Sequence, residues 1–319
     1  MSAPGRPKGE YRSARREGCL MSRAAPGRPK QAAPRLGGVA AVRRGPGAVM
    51  SHPSFVVGSV LVALLLFAAA VSLLWQPWPP AEIDIPNKLA SPSAAHWLGT
   101  DSLGRDIASQ LLVGSQISIV VGVVAVGIGL VVGVALGCLA AAQRGWTEEL
   151  VMRASDLGFA FPALLSAIML TALYGPGLIT SIVAIGLFNI PVFARLTRAS
   201  ARGVWTREYV LCARAAGKGA WRITTDHVLP NIANVLIVQA TIQFALAILA
   251  EAALSYLGLG TQPPQPSWGR MLNEAQTMLF EAPLLAVYPG VTIALAVLGL
   301  NLMGDGLRDL LDPKLSRQR

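Results

Sequence analysis

The sequence predicts an all-α membrane protein with six transmembrane helices. Of its 319 residues, 53% are hydrophobic and only 14% are charged, whereas a soluble domain carries about 25% charged residues. The apolar residues gather in six segments, and about 20 apolar residues in a helix cross roughly 30 Å of hydrocarbon. The basic residues fall almost entirely into alternate connecting segments, as expected of a chain that crosses a bilayer repeatedly.

The chain begins with a basic segment, residues 1–50, rich in Pro, Gly, Ala and Arg, in which APGRPK occurs twice. Such a segment cannot bury a core, so we expect a disordered tail. Contact with anionic lipid headgroups and a later start of translation, at Met21 or Met50, both stay open. Short basic motifs are weak support for DNA binding, and we expect no nucleic-acid partner.

The membrane domain is expected over residues 51–319. The six predicted spans lie near 55–75, 117–142, 157–174, 178–194, 232–250 and 283–304. The first, second and last are long enough to cross the bilayer outright. The shorter ones can do so when their flanking Arg and Tyr side chains extend to the interface.

The orientation follows from the basic residues. With six spans and an inside N-terminus, the outer segments contain only Lys88, Arg105 and Arg270 among 27 Lys and Arg residues. Both termini are therefore expected on the cytoplasmic side of the cell inner membrane.

Two features of the spans bear on packing. Gly129, Gly133 and Gly137 form a doubled GxxxG in the second span, where another helix backbone can approach closely. Packing within the chain and packing against a second subunit are both open. Pro162, Pro191 and Pro289 lie in the third, fourth and sixth spans and are expected to bend or loosen them.

The charged residues on the outer side are interpreted as structural. Glu251 stands near the end of the fifth span, where we expect it to cap or pair at the outer mouth. Asp101, Arg105 and Asp106 lie in the loop after the first span and are expected to pair with one another and brace that loop. No polar cluster within the spans singles itself out as a substrate path.

A polar, basic insert at 207–231 separates the fourth and fifth spans. Glu208 stands near the start of a predicted helix, where a carboxylate suits the helix dipole, and Gly217 stands where a C-terminal cap is expected. Pro230 is expected to mark the start of the fifth span.

The small residues of this insert predict a docking face. Ala213, Ala216, Gly217 and Ala220 are spaced i, i+3, i+4 and i+7, which would place them on one face of a helix, with Arg214 beside them. A smooth face flanked by basic side chains suits the cleft of another protein. A helix lying on lipid fits less well, because such helices carry large apolar side chains.

Nucleotide and catalytic motifs are missing from the sequence. No GxxxxGK[ST] loop, HExxH or GxSxG is present, and the scattered Cys and His residues give no metal-site spacing. We therefore expect no enzyme activity, no cofactor and no metal in this chain.

The insert resembles the cytoplasmic loop of binding-protein-dependent ABC importer permeases. Their pattern runs Glu-Ala-Ala, three residues, Gly, nine residues, then Ile-x-Leu-Pro. The matching positions here are Ala213, Gly217, Leu229 and Pro230. The positions that depart from the pattern are Leu211 for the glutamate, Cys212 for the first alanine and His227 for the isoleucine.

Three longer stretches are similar to the C-type permease subunit of dipeptide, oligopeptide and nickel importers. They are LGTDSLGRD at 98–106, LSYLGLGTQPPQPSWGRML at 254–272 and NLMGDGLRDLLDPKL at 301–315. The resemblance implies six helices and a cytoplasmic coupling helix between spans four and five. It also implies a second permease subunit, two ATP-binding subunits that carry ATP and magnesium, and an external substrate-binding protein.

The function that the resemblance implies is that of a permease subunit of an ATP-driven peptide importer. Import of nickel or another small solute stays open, as does a membrane scaffold that recruits a cytosolic partner through the same insert. The residues expected to contact the ATP-binding subunits are Glu208, Ala213, Arg214, Ala216, Gly217, Ala220, Leu229 and Pro230.

Overall fold

The computed structural model describes residues 53–311, and the predicted tail at 1–50 lies outside that range. Every regular element in the described residues is helical. The helices are α1 (Pro53–Leu74), α2 (Ile107–Gln143), α3 (Trp146–Ala160), α4 (Ala163–Tyr174), α5 (Leu178–Trp205), α6 (Glu208–Ala215), α7 (Ala220–Tyr256, across a π-helical turn at Thr224–Val228), α8 (Trp268–Ala275) and α9 (Leu284–Leu311).

Five helices of the described range, α1, α2, α5, α7 and α9, are long and apolar enough to cross a membrane. The third predicted span, 157–174, falls on two helices instead of one. Helices α3 and α4 meet at an angle of 84°, and they make a sixth span only if the bent pair is counted as one. The break lies at Phe161 and Pro162, whose backbones are extended. Pro162 has no N–H to continue the helix, which explains the break.

Several helices extend beyond the apolar segments that predict them. Helix α2 starts at Ile107, ten residues before the predicted span. Ser109, Gln110 and Ser115 in its first turns are buried. Helix α5 continues to Trp205 through a basic, amphipathic stretch. Hydropathy identifies only the part of a helix that faces lipid. The polar ends of these helices were therefore not predicted as helical.

The glycine face of α2 packs within the chain, against α5. A β-carbon at Gly133 would lie 2.6 Å from the Ile190 carbonyl oxygen, and one at Gly137 would lie 2.5 Å from that of Ala194. A β-carbon at Gly129 would overlap the Asn189 side chain. These distances are shorter than any packed methyl group tolerates, so the glycines set how closely the two helices approach.

Helices α1 and α9 form a second close seam. A β-carbon at Gly299 of α9 would lie 2.6 Å from the Leu61 Cβ of α1, and one at Gly306 would lie 2.5 Å from the Phe55 Cβ. The contacts run antiparallel, because Phe55 lies opposite the later glycine. Pro191 and Pro289 lie inside α5 and α9 without ending them, unlike Pro162.

At one end of the bundle, the loop over 75–106 and the segment over 257–283 fold together into a cap, which we call the outer cap because the sequence predicts that this end faces outward. Trp268 is fully buried there and donates from Nε1 to the Leu111 carbonyl oxygen at 3.0 Å. The Gly177 N–H, which follows α4, donates to the Leu259 carbonyl oxygen at 3.2 Å. The ends of α2, α4 and α7 therefore meet at this cap.

A groove of about 1390 Å³ runs along the side of the bundle between α2 and α7. Its walls are almost entirely apolar and include Val62 of α1, Gly127 and Val131 of α2, and Leu236 of α7. A β-carbon at Gly127 would meet no atom within 4 Å. The groove thus has room for side chains beyond those of the described residues.

Candidate coupling segment and outer cap

The short helix α6 ends in a cap made by Gly217. The Lys218 N–H donates to the Ala213 carbonyl oxygen at 3.1 Å, and the Gly217 N–H donates to that of Arg214 at 3.0 Å. Gly217 has φ +82°. This is the hydrogen-bonding pattern of a Schellman cap, which requires a left-handed residue. The capping role predicted for Gly217 is confirmed.

The predicted docking face is wrong in one respect. Helix α6 stops at Ala215, the chain turns at Gly217, and Ala220 begins α7. Ala213 packs partly against the core, whereas Ala216, Gly217 and Ala220 are exposed. The four residues therefore do not share one face of one helix, because the left-handed turn between them redirects the chain.

The coupling segment, residues 206–228, is fixed to the bundle and leaves basic groups exposed. Val210 is fully buried in the core cluster. The Tyr209 and His227 rings lie edge to face with centroids 6.1 Å apart, and Lys218 Nζ lies 3.5 Å from Asp226 Oδ2. Glu208 stands in the first turn of α6, as predicted, and Arg214 is exposed in its last turn.

Pro230 stands in the first turn of the α-helix Leu229–Tyr256, as predicted, although the span as a whole begins earlier, at Ala220. Leu229 and Pro230 lie within the continuous helix α7, directly after the π-helical turn at Thr224–Val228. The Leu229 N–H bonds to the Thr224 carbonyl oxygen, five residues back. A proline ring clashes with the carbonyl four residues before it, and the wider turn relieves that clash.

In the outer cap, Arg105 is held between two carboxylates. Its Nε donates to Asp101 Oδ2 at 2.7 Å, and its Nη2 pairs with the carboxylate of Glu274 in α8. Burial by itself would lower the pKa of the Arg105 guanidinium, but the charges and hydrogen bonds of Asp101 and Glu274 outweigh it and raise that pKa. The Asp101–Arg105 pair was predicted from the sequence. Its extension to Glu274, 169 residues away, was not.

Asp106 has a different role from the predicted one. Its Oδ2 accepts from the Ser109 N–H at 2.8 Å and caps the N-terminus of α2. Its Oδ1 lies 3.0 Å from His96 Nδ1. The expected pairing of Asp106 with Arg105 is wrong, because Asp101 and Glu274 already take the guanidinium.

Glu251 lies at the outer end of α7 and is fully buried. Its Oε1 accepts from the Ser255 hydroxyl at 2.6 Å and from the Thr261 hydroxyl at 3.2 Å. Ser255 Oγ in turn accepts from the Thr261 N–H at 2.9 Å. The carboxyl group thus ties the last turns of α7 to the chain that folds back over them.

Sequence reasoning missed two polar contacts between helices, one buried in the bundle and one nearer its surface. Gln243 of α7 donates from Nε2 to Asn189 Oδ1 of α5 at 2.7 Å, deep among apolar side chains. Glu148 of α3 accepts from Arg198 and Arg202 of α5. The available signal was an Asn and a Gln within apolar spans, since such side chains require a partner away from water.

Comparison with known proteins places these features in a family. The family model described as "binding-protein-dependent transport system inner membrane component" matches residues 133–317. The glutathione transport system permease protein of Pectobacterium atrosepticum is 46% identical over 70% of this chain and 74% of its own length.

Two further relatives match over more of the chain. The dipeptide transport system permease protein of Alkalihalophilus pseudofirmus is 41% identical over 82% of this chain and 86% of its own. The di/tripeptide transport system permease protein of Pseudomonas aeruginosa is 43% identical over 83% of this chain and 90% of its own length.

Among solved structures, a chain of the inward-facing MetNI methionine ABC transporter aligns with a TM-score of 0.54. The alignment covers 64% of this chain and 96% of that one at 18% identity, and it establishes the shared fold. Together with the family match and the close relatives, it leads to one assignment. The chain belongs to the binding-protein-dependent transport system inner membrane components, the permease subunits of ABC transporters.

Proposed function

We propose that this chain is a permease subunit of an ATP-driven importer that carries short peptides across the cytoplasmic membrane. The observation that carries the proposal is the agreement of the relatives. Those with 41–46% identity are named as dipeptide, di/tripeptide and glutathione transport permeases. Glutathione is itself a tripeptide, so one class of substrate accounts for all three names.

The coupling segment is the proposed contact with the ATP-binding subunits. Helix α6 and the turn at Gly217 project small side chains, and Arg214 and Lys218 add positive charge beside them. A backbone without bulk can lie deep in a partner's cleft, and the surrounding cations suit acidic residues at its rim. The chain has no phosphate-binding loop, so hydrolysis belongs to those partner subunits.

We count the bent pair α3–α4 as one span, which gives six. Helix α3 begins beside the cytoplasmic end of α5, because Glu148 pairs with Arg198. Helix α4 ends at the outer cap, because the Gly177 N–H bonds to the Leu259 carbonyl oxygen. The pair thus runs from one end of α5 to the other. Six spans keep both termini in the cytoplasm.

The groove between α2 and α7 is the proposed seat of the second permease subunit. It is apolar and lies on the side of the bundle, and no atom of residues 53–311 lies within 4 Å of a β-carbon placed at Gly127. Helices in a membrane associate by close packing of such surfaces. The external substrate-binding protein would meet the outer cap, on the opposite side from the coupling segment.

Uptake into proteoliposomes tests the proposal. Vesicles would contain this chain with its partner permease, both ATP-binding subunits and the external binder. We expect ATP-dependent accumulation of a labelled dipeptide, a tripeptide or glutathione. Uptake of Ni²⁺ without any peptide would assign the chain to a small-solute importer. Binding of a cytosolic partner with no uptake at all would favour a scaffold.

A further inference from the structure

Ion pairs fasten α3 to the cytoplasmic half of α5. Glu148 Oε1 accepts from Arg198 Nε at 2.6 Å and from Arg202 at 3.1 Å. Only 13% of the Glu148 side chain is exposed, so water screens these contacts less than at an open surface. One carboxylate therefore holds two arginines that stand one turn apart on α5.

A second contact repeats the connection further along both helices. Asp156 of α3 pairs with Arg195 of α5, and the Arg195 guanidinium lies 4.4 Å from the centre of the Phe159 ring. Glu148 lies opposite Arg198 and Arg202, and Asp156 lies opposite Arg195. The two helices are therefore antiparallel and joined at both ends of a stretch about 12 Å long.

This fastened stretch ends at two prolines. A β-carbon at Gly158 would lie 3.2 Å from Pro191 Cγ, so the end of α3 lies against the proline of α5. The chain breaks at Phe161 and Pro162, about one helical turn further along. Pro191 cannot donate to the carbonyl oxygen of Leu187, so α5 is weakened at the same level. Beyond the prolines, the described residues contain no ion pair between α4 and α5.

The fastened stretch also adjoins the coupling segment. Arg202 lies four residues before Thr206, and α6 begins at Glu208. Val210 of α6 is buried in the same core cluster as Ala201 and Trp205 of α5, so we expect a displacement of α6 to reach the end of α5. Helix α3 makes its ion pairs with that end.

We propose that Glu148 is a positioning residue that makes α3 move together with the cytoplasmic half of α5. The two form one body that turns about Pro162 and Pro191 when the ATP-binding subunits displace the coupling segment. The inference rests on the proposed function of that segment. Without Glu148, Arg198 and Arg202 repel each other, because they stand at i and i+4 on one helix. Helix α3 then also loses the contact that makes it move with α5.

Glu148→Gln tests the proposal, with Glu149→Gln as the matched control. Glu149 is the next residue on α3 and is 66% exposed, and within residues 53–311 its one ion pair is with Arg153 of the same helix. In reconstituted vesicles, we expect Glu148→Gln to bind the ATP-binding subunits normally. Peptide uptake per ATP hydrolysed should fall roughly 5- to 20-fold, in the lower part of the range of about 5- to 150-fold that typical coupling free energies produce. Glu149→Gln should match the wild type.

Distances measured between spin labels separate movement from stability. The labels are placed by Arg153→Cys on α3 and Gly203→Cys, an exposed position with free space in the last turns of α5, in a chain whose three native cysteines are replaced. In the wild-type background, the label separation should be the same with and without ATP. In Glu148→Gln, it should change when ATP is added. A separation that already changes with ATP in the wild-type background would overturn the proposal.

The charge exchange Glu148→Arg with Arg198→Glu guards against a trivial folding defect. It should restore uptake per ATP toward the wild-type ratio, and failure to restore it would count against the inference. Normal uptake by Glu148→Gln would overturn the inference and leave the proposed function standing. A wild-type complex that imports no peptide would instead remove the proposed function.

Discussion

At Gly217 a single backbone angle determines how the coupling segment is presented. A side chain there has free space, since a β-carbon would meet no atom within 4 Å, but φ +82° disfavours any β-carbon. We expect Gly217→Ala to cost about 1 kcal/mol in the cap, and so to weaken binding of the ATP-binding subunits roughly fivefold in a pull-down titration.

Two variants control that prediction. Gly219→Ala alters the same turn at φ −67° and also meets open space, so it should bind as the wild type does. Gly217→Asn should recover most of the binding, because asparagine tolerates the left-handed region better than alanine. Equal binding by Gly217→Ala and Gly219→Ala would show that the left-handed turn is not needed for docking.

Arg105 holds the outer cap together through its two carboxylate partners. Arg105→Leu would leave Asp101 and Glu274 without their cation. We expect a loss of about 2–3 kcal/mol in the free energy of unfolding, less than for a fully buried pair because Glu274 keeps 27% of its side chain exposed. Denaturant titration in detergent measures it. Lys88→Leu, an exposed basic site in the same loop, should change stability by less than about 0.5 kcal/mol.

At the residue scale, the sequence predicted partners that are close in the chain. The Gly217 cap and the Asp101–Arg105 pair were both inferred from local spacing. Glu274, which joins Arg105 from another helix, and Gln243, which bonds Asn189, could not be found this way. Their contacts depend on how whole helices pack, and one sequence carries no sign of which distant residues meet.

At the scale of elements, two glycines of α2 have opposite surroundings. Gly133 faces α5 within the chain, whereas Gly127 lines the groove between α2 and α7. We expect Gly133→Leu to force α2 and α5 apart, lowering the amount of folded chain in the membrane. Gly127→Leu should leave that amount unchanged and reduce co-purification of the second permease subunit. If both variants keep the partner, the groove is not its seat.

The elements that were predicted least well share one cause. Apolar composition runs unbroken through Phe161 and Pro162, so a single span was predicted where the chain turns by 84°. The face from Ala213 to Ala220 was predicted on one helix, although a left-handed turn at Gly217 divides it. Predictions from composition and spacing assume a regular helix. Both errors occur where the backbone departs from helical dihedral angles.

For the whole molecule, the tryptophans suggest where the membrane lies. Trp75 and Trp97 are exposed at the end of the bundle that carries the outer cap, and their tilted rings have centroids 5.9 Å apart. Trp146 and Trp221 are exposed at the opposite end. Tryptophan concentrates at both membrane–water interfaces, so the two groups bracket the hydrocarbon layer. The predicted orientation, with the outer cap outside and the coupling segment in the cytoplasm, takes a separate test.

Accessibility of cysteines tests this orientation. We expect a membrane-impermeant maleimide added to intact cells to label Gln265→Cys, an exposed position in the outer cap. It should not label Arg214→Cys unless the membrane is permeabilised. The background replaces Cys212, which is also exposed. Labelling of Arg214→Cys in intact cells would contradict six spans with an inside N-terminus.

The glycine seam between α2 and α5 also has a consequence for how the protein is made. The end of α5 at Trp205 lies 62 residues beyond the end of α2 at Gln143. At roughly 5–20 residues per second, a ribosome completes α5 about 3–12 s after α2. During that interval, lipid covers the glycine face. A polar helix face would hydrogen-bond to any polar partner in the bilayer. A glycine face binds only a helix whose shape fits it closely. The glycine face of α2 can therefore stay unpaired during biosynthesis until α5 is made, without binding another helix.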